Sequence, residues 1–260
     1  MRTGDYQTDI MRSLSFLSRI PVHDIFFEDD HRSIAQSSRA FPLAGVLIAI
    51  PSACVAAILV SHNADPLLSS AIVLTIATLI SGALHEDGLA DTADGFGGGS
   101  SRERVLEIMK DSRIGTYGAI ALILSFALRV AAIAALMKEL SALGVAVSLI
   151  AVACLSRGAL VWHWQKLAPA KPTGVAASAG QPGETERSRA LGYGVGLAGL
   201  IAMNYFAPFP FAVVLAAPLV ATYLFNRYCD RKIQGHTGDT IGATQQITEI
   251  VMLAGLALIA

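Results

Sequence analysis

Leu67-Leu68-Ser69-Ser70-Ala71-Ile72-Val73-Leu74-Thr75-Ile76-Ala77-Thr78-Leu79-Ile80-Ser81-Gly82-Ala83-Leu84 runs without a single charge, then continues into His85-Glu86-Asp87-Gly88-Leu89-Ala90-Asp91-Thr92-Ala93-Asp94-Gly95. A bilayer core about 30 Å thick needs roughly 20 apolar residues at 1.5 Å each, so the first half reads as a membrane span and the second as an acidic segment at its end. Working outward, residues 41–60, 116–137, 143–164 and 209–225 are further long runs with few charges. A glycine-rich run covers 190–206, joined to its successor through Pro208 and Pro210, and 241–260 starts polar and ends apolar. The expectation is an all-α, polytopic integral membrane protein of about seven spans, forming one domain over residues 1–260.

Composition agrees. Of 260 residues, 53% are hydrophobic and 15% charged, against about 45–50% and 25% in soluble domains. Mean hydropathy is +0.55. Disorder, collagen and coiled coil are excluded, and 19 Lys+Arg against 20 Asp+Glu argue against a nucleic-acid-binding basic face. Cys54, Cys154 and Cys229 lie far apart without a CxxC pair and read as small packing residues. The first 40 residues hold no signal-peptide h-region. Ile10, Leu14 and Leu17 recur there at helical spacing, which predicts an amphipathic helix on the membrane surface within a cytoplasmic arm.

Basic residues set the topology. Arg2, Arg12, Arg19, Arg32 and Arg39 precede span one, and Arg102, Arg104, Lys110 and Arg113 follow span two. Lys166, Lys171, Arg187 and Arg189 follow span four, and Arg227, Arg231 and Lys232 follow span six, whereas the alternate connections carry only Lys138. The positive-inside bias places the basic segments and the N-terminus in the cytoplasm and the C-terminus outside. Among the acids only Asp65 and Glu139 fall on the outer side.

Asp87, Asp91 and Asp94 stand at i, i+4 and i+7, within an arc of about 60° on one helical face. A solvated helix end marking the membrane boundary would explain any one of them. Three like charges on one face repel, and a helix C-terminus disfavours acids; a divalent cation removes the repulsion. Oxygen-only ligation selects Mg²⁺ or Mn²⁺ over zinc. Gly95, Gly97, Gly98 and Gly99 follow and are expected to end the helix and let backbone N–H groups approach a phosphate. Ser100 and Glu103 have capping-box spacing for a new helix from Ser101 to about Lys110. In Lys110-Asp111-Ser112-Arg113, the two cations serve either phosphate oxygens or membrane anchoring. The last connection, Gly235-His236-Thr237-Gly238-Asp239-Thr240-Ile241-Gly242-Ala243-Thr244-Gln245-Gln246 with Glu249 beyond, is polar where a span begins, so Asp239, Gln245, Gln246 and Glu249 are site candidates. Arg129 and Arg157 lie inside spans, with snorkelling the expected explanation for Arg157. His23, His31, His62 and His163 read as structural or interfacial; His85 and His236 fall within the informative motifs.

The run from His85 to Gly95 with its glycines, Met109-Lys110-Asp111-Ser112-Arg113-Ile114-Gly115 and Thr237-Gly238-Asp239 together closely resemble the cobalamin (5'-phosphate) synthase family. Phe16-Leu17-Ser18-Arg19-Ile20-Pro21 and Phe41-Pro42-Leu43-Ala44-Gly45 add matches in the same order, while Lys171 in Pro169-Ala170-Lys171-Pro172 stands where arginine is expected. The resemblance implies an Mg²⁺-dependent enzyme of the bacterial inner membrane. Such an enzyme joins adenosylcobinamide-GDP to α-ribazole, or its 5'-phosphate, and releases GMP. In that reading Asp87, Asp91 and Asp94, with Glu86, hold one or two Mg²⁺, and Gly97, Gly98, Gly99, Lys110 and Arg113 cradle the leaving GMP. Asp94 or Asp239 takes the proton of the attacking hydroxyl. Residues 85–115 form the cytoplasmic catalytic loop. The expected partners are the two substrates, the lipid bilayer and either a second copy or other cobalamin-assembly enzymes, without nucleic acid. Rival readings are a CDP-alcohol phosphotransferase or prenyltransferase, the former disfavoured because Asp91 replaces its arginine, and a cation-coupled transporter, disfavoured because no internal repeat is evident.

Overall fold

The break in the second span organises the molecule. In the computed structural model, which describes residues 4–27, 33–171 and 178–260, the first element α1 covers Gly4–Leu17 and a short α2 covers Ile34–Ser37. Then come α3 (Phe41–Ser61), α4 (Pro66–Ser81), α5 (Leu84–Gly98) and α6 (Arg102–Ile108). The long helices α7 (Thr116–Glu139) and α8 (Ala142–Lys166) follow, then α9 (Glu184–Ala202), α10 (Pro208–Ile233) and α11 (Gly238–Ile259). Arg2, His31, Arg32 and Pro172 lie outside the described residues. No strand occurs among the described residues; the one isolated bridge pairs Pro169 with His236.

Five stretches are long and apolar enough to cross a membrane: Ile34–Ser61, α7, α8, α10 and α11. A sixth is the pair α4 and α5, bent by 90°. The all-α polytopic expectation holds, and against about seven spans the structure differs at two places. First, span two ends at Ser81, because Gly82 and Ala83 both adopt left-handed backbone, with φ of 66° and 56°. Only glycine enters that region without steric cost, and Ala83 is held there by its N–H bond to Thr78 O. Arg19, whose backbone N donates to Ile80 O at 2.7 Å, lies against Gly82 where any Cβ would sit. The acidic segment is therefore a helix lying across the bundle end, not a straight continuation of α4 or a loop. Second, α9 begins at Glu184, and its charged first turns and glycines keep it below the apolarity of a span. It nevertheless runs the height of the bundle against α8. Ala190 packs with Phe41, Leu160 and Trp164, while Ala198 and Ala202 pack with Val145 and Leu136 at the other end.

The N-terminal helix is amphipathic as expected, and its apolar face is covered by protein. Leu14 and Leu17 pack with Phe41 and Trp164. The polar side carries a buried ion pair, Asp9 to Arg39, at 2.5 Å. Cys154 and Cys229 are buried and free; Cys54 is exposed on its helix.

Candidate active site

Two glycines bring the acidic helix onto the start of α11. A Cβ on Gly88 would stand 2.7 Å from the carbonyl oxygen of Asp239, and one on Gly242 would stand 3.4 Å from the Cα of His85. This contact delivers Asp239 to the acidic face of α5, where Asp91 has Asp239, Asp87 and Asp94 as its charged neighbours. The sequence reading assigned Gly88 and Gly242 no role; their signal is a small residue on each of two polar helix segments.

Asp87 and Asp239 line a cavity of about 410 Å³, within the range that takes a small-molecule ligand. Lys110 and Lys171 enter the same cavity from the connections after α6 and α8, and His85, His236 and Thr237 complete its polar lining. Neither lysine forms an ion pair with an acid among the described residues; Lys171 Nζ donates to Leu106 O at 3.0 Å. Burial, and then the neighbouring Lys110, push the Lys171 ammonium below the usual lysine range. Like charges gathered on both sides of one cavity suit a ligand that is itself anionic and metal-associated. His236 is buried, and its pKa falls to about 4 because burial disfavours the imidazolium. Its backbone is clamped by bonds between Ala170 N and His236 O and between His236 N and Ala168 O, each 2.8 Å. Behind it, His163 joins Asn226 at 2.6 Å and Thr240 at 3.0 Å, and Thr240 N–H is capped by Thr237 at 3.2 Å.

Other residues from the sequence reading lie elsewhere. Asp94 accepts the N–H groups of Gly115 at 2.7 Å and Gly118 at 2.8 Å, so both its oxygens cap the start of α7. Glu86 faces the opposite side of α5, where Arg129 Nη1 reaches it at 3.0 Å and Glu249 at 3.2 Å. Gln246 donates to Glu86 at 3.2 Å, and Gln245 to Glu249. These groups, with Arg157, line a second cavity of about 60 Å³ inside the bundle. Arg157 is buried and donates to Ala153 O at 3.2 Å, so the snorkelling expectation is corrected: Gly45 lets α3 close over its side chain. Neither Gly97, Gly98 nor Gly99 lines the 410 Å³ cavity. Gly97 and Gly98 continue α5, Gly97 lies against the Tyr117 ring, and Gly99 lies against Val105. The glycine run thus allows α6 and α7 to fold back closely. The cap of α6 is Ser101, accepting from Arg104 N at 3.2 Å, one residue later than the Ser100 box. Arg113 is exposed and holds Asp111 at 2.6 Å outside the cavity, which lowers the Asp111 carboxyl to about 2. His85 borders both cavities, and its Nε2 has no partner among the described residues.

Among the described residues no three of His, Cys, Asp and Glu close into a shell around one ion. The acids form an open oxygen-donor edge. Mg²⁺ typically keeps such an arrangement, one or two carboxylates with water and substrate phosphate filling the rest.

Fold and cavity together define a helical polytopic membrane protein with a cavity edged by acids and lysines. A family model described as cobalamin-5-phosphate synthase matches residues 9–257. The chain belongs to that family and is an enzyme of cobalamin synthesis. It is 53% identical over 253 residues to an adenosylcobinamide-GDP ribazoletransferase of Rhizobium meliloti (strain 1021), covering 96% of each chain. A protein of the same name from Brucella anthropi is 41% identical over 254 residues, again 96% of each. No solved structure matches.

Proposed function

We propose that the chain transfers the adenosylcobinamide-phosphate group of adenosylcobinamide-GDP to α-ribazole, or to its 5'-phosphate, with Mg²⁺ as cofactor. The products are adenosylcobalamin, or its phosphate, and GMP. The observation that carries this reading is one cavity edged by Asp87 and Asp239, with Asp91 beside them, and faced by Lys110 and Lys171. The printed names of the relatives supply the substrate class.

A ribose hydroxyl of the acceptor attacks the cobinamide-side phosphorus. The bond from that phosphorus to the bridging oxygen breaks, and GMP leaves with that oxygen. Asp239 accepts the hydroxyl proton. Lys110 and Lys171 neutralise phosphate oxygens of the leaving GMP, where charge grows in the transition state. Asp87 and Asp91 would hold Mg²⁺, which when bound supplies the further positive charge that diphosphate cleavage needs. Asp94 and Glu86 act on the scaffold: Asp94 docks α5 on α7, and Glu86 docks it on Arg129. The basic connections gather at the cavity end, which supports a cytoplasmic active site at the bacterial inner membrane.

The test is detergent-purified protein given adenosylcobinamide-GDP, α-ribazole and Mg²⁺, with products followed by mass spectrometry. Adenosylcobalamin and GMP in equal amounts are expected. Absence of both overturns the reaction, and product formation that persists in EDTA overturns the metal.

A further inference from the structure

We infer that the apolar end of the 410 Å³ cavity seats the flat aromatic base of the nucleoside acceptor, with Phe16 and Trp164 as its walls. The inference rests on the transferase reading above and assigns one of its two substrates to a place.

Size decides first. A cavity of 410 Å³ holds a nucleoside, but a corrin macrocycle with its side chains does not fit. The corrin of the donor must therefore stay outside, leaving the cavity interior to a nucleoside, either the acceptor or the donor's guanosine. The division of the lining decides second. Leu17, Leu160 and Trp164, with Ala179 and Ile241 against them, belong to one apolar cluster, and all five face the cavity. The acids and lysines approach from α5, α11 and the connections after α6 and α8. A molecule with an apolar ring at one end and a sugar hydroxyl at the other matches that division.

The walls are also set before the ligand arrives. Phe16 stacks on Phe41 at 5.9 Å, and Phe41 packs on Trp164 at 6.1 Å. The indole N–H of Trp164 is spent on Gly180 O at 3.0 Å, so the ring brings no free donor to the cavity wall. Phe16 remains 43% exposed although its neighbour Leu17 is only 1% exposed. His236, 1% exposed and with neither ring nitrogen hydrogen-bonded among the described residues, supplies a polar contact at the inner wall. A guanine ring would leave its amide and amino groups without partners against Leu17, Leu160 and Trp164, at the cost of burying bare polar groups. A benzimidazole carries no such groups and gains aromatic contact.

Trp162 and Trp164 are the two tryptophans of the chain, so Trp162→Phe leaves Trp164 as a single reporter in the cavity wall. Titrating that variant with α-ribazole alone should give a saturable change in emission, and titrating it with GMP should not. Phe16→Ala should raise the apparent Kd for α-ribazole about tenfold, while the KM for adenosylcobinamide-GDP stays within about twofold. A response to GMP but not to α-ribazole overturns the inference. So does an unchanged Kd in Phe16→Ala, or a silent Trp164 in a variant that still turns over. Should Trp162→Phe fail to fold, equilibrium dialysis of α-ribazole against the wild type and Phe16→Ala decides the same question. If no preparation makes product, the transferase reading fails, and the binding titrations still show where the base sits.

Discussion

The two faces of α5 carry similar residues and use them in opposite ways. Toward the bundle interior, Glu86 and Glu249 meet Arg129, with Gln245 and Gln246 bridging, so nearly every charge has a counter-charge within 3.2 Å. Toward the cavity, Asp87, Asp91 and Asp239 crowd one another and Lys110 and Lys171 do the same, while Asp239 and Lys171 attract each other without forming an ion pair. At membrane depth an unpaired charge is costly, and here Arg129 pairs with Glu86 and Glu249 and holds helices together, although Arg157 beside them forms no ion pair among the described residues. At the water boundary like charges persist at lower cost, and a bound ligand would relieve their repulsion. On the proposed reading, paired charges mark the scaffold and unpaired ones the chemistry.

Substitution on the cavity face should have the largest effect. Asp87→Asn and Asp91→Asn are expected to lower Mg²⁺-dependent GMP release about 10²–10³-fold with melting temperature nearly unchanged. Near-normal turnover in either purified variant would erase the distinction between the faces. On the interior face the order reverses. Arg129→Met strands Glu86 and Glu249 and should cost about 3–5 kcal/mol of stability, read by thermal unfolding in detergent, with partial recovery in Glu86→Gln/Arg129→Met. A variant as stable as wild type would show that the inner network is not the fastening.

Lys110→Ala and Lys171→Ala should each raise the KM for the GDP-activated donor about tenfold with kcat reduced less, and high salt should shrink the difference. Equal KM values would remove the cationic wall from the site. The smallest effect concerns pH. His236 has a pKa of about 4 when folded, below the 6.5 of a free imidazole, so the unfolded chain takes up its proton first. Its contribution to stability is complete above about pH 6.5 and is lost as pH falls toward 4. Melting temperature should drop across that window, and the slope should flatten in His236→Gln. A slope identical in the variant would mean that another group governs it.

Most of the helices were legible in the chain, because apolar length and the alternation of basic loops are local properties. The acidic helix, Lys110 and Asp239 were also singled out in the sequence, and the structure brings them around one cavity. Lys171 entered the reading as a basic-loop residue and as a departure from the family pattern, and Arg157 was misread, because periodicity does not say whether a cation in a span points to water or to a cavity inside the bundle. The assignment of Asp94 and Glu86 to the metal failed to foresee their partners for a similar reason. Spacing places a carboxylate on a face of its own helix, but Gly115 and Gly118 N–H groups and the Arg129 guanidinium come from elsewhere in the chain.

The chain by itself determined that this is a helical membrane protein with acids massed at one water boundary, since both follow from hydropathy and spacing counted along the backbone. Only the tertiary structure decided which acids face a cavity and which clasp a partner. That choice turns on the 90° bend at Gly82 and Ala83 and on the Gly88–Gly242 contact, where close approach between distant segments sets the direction of every side chain on α5.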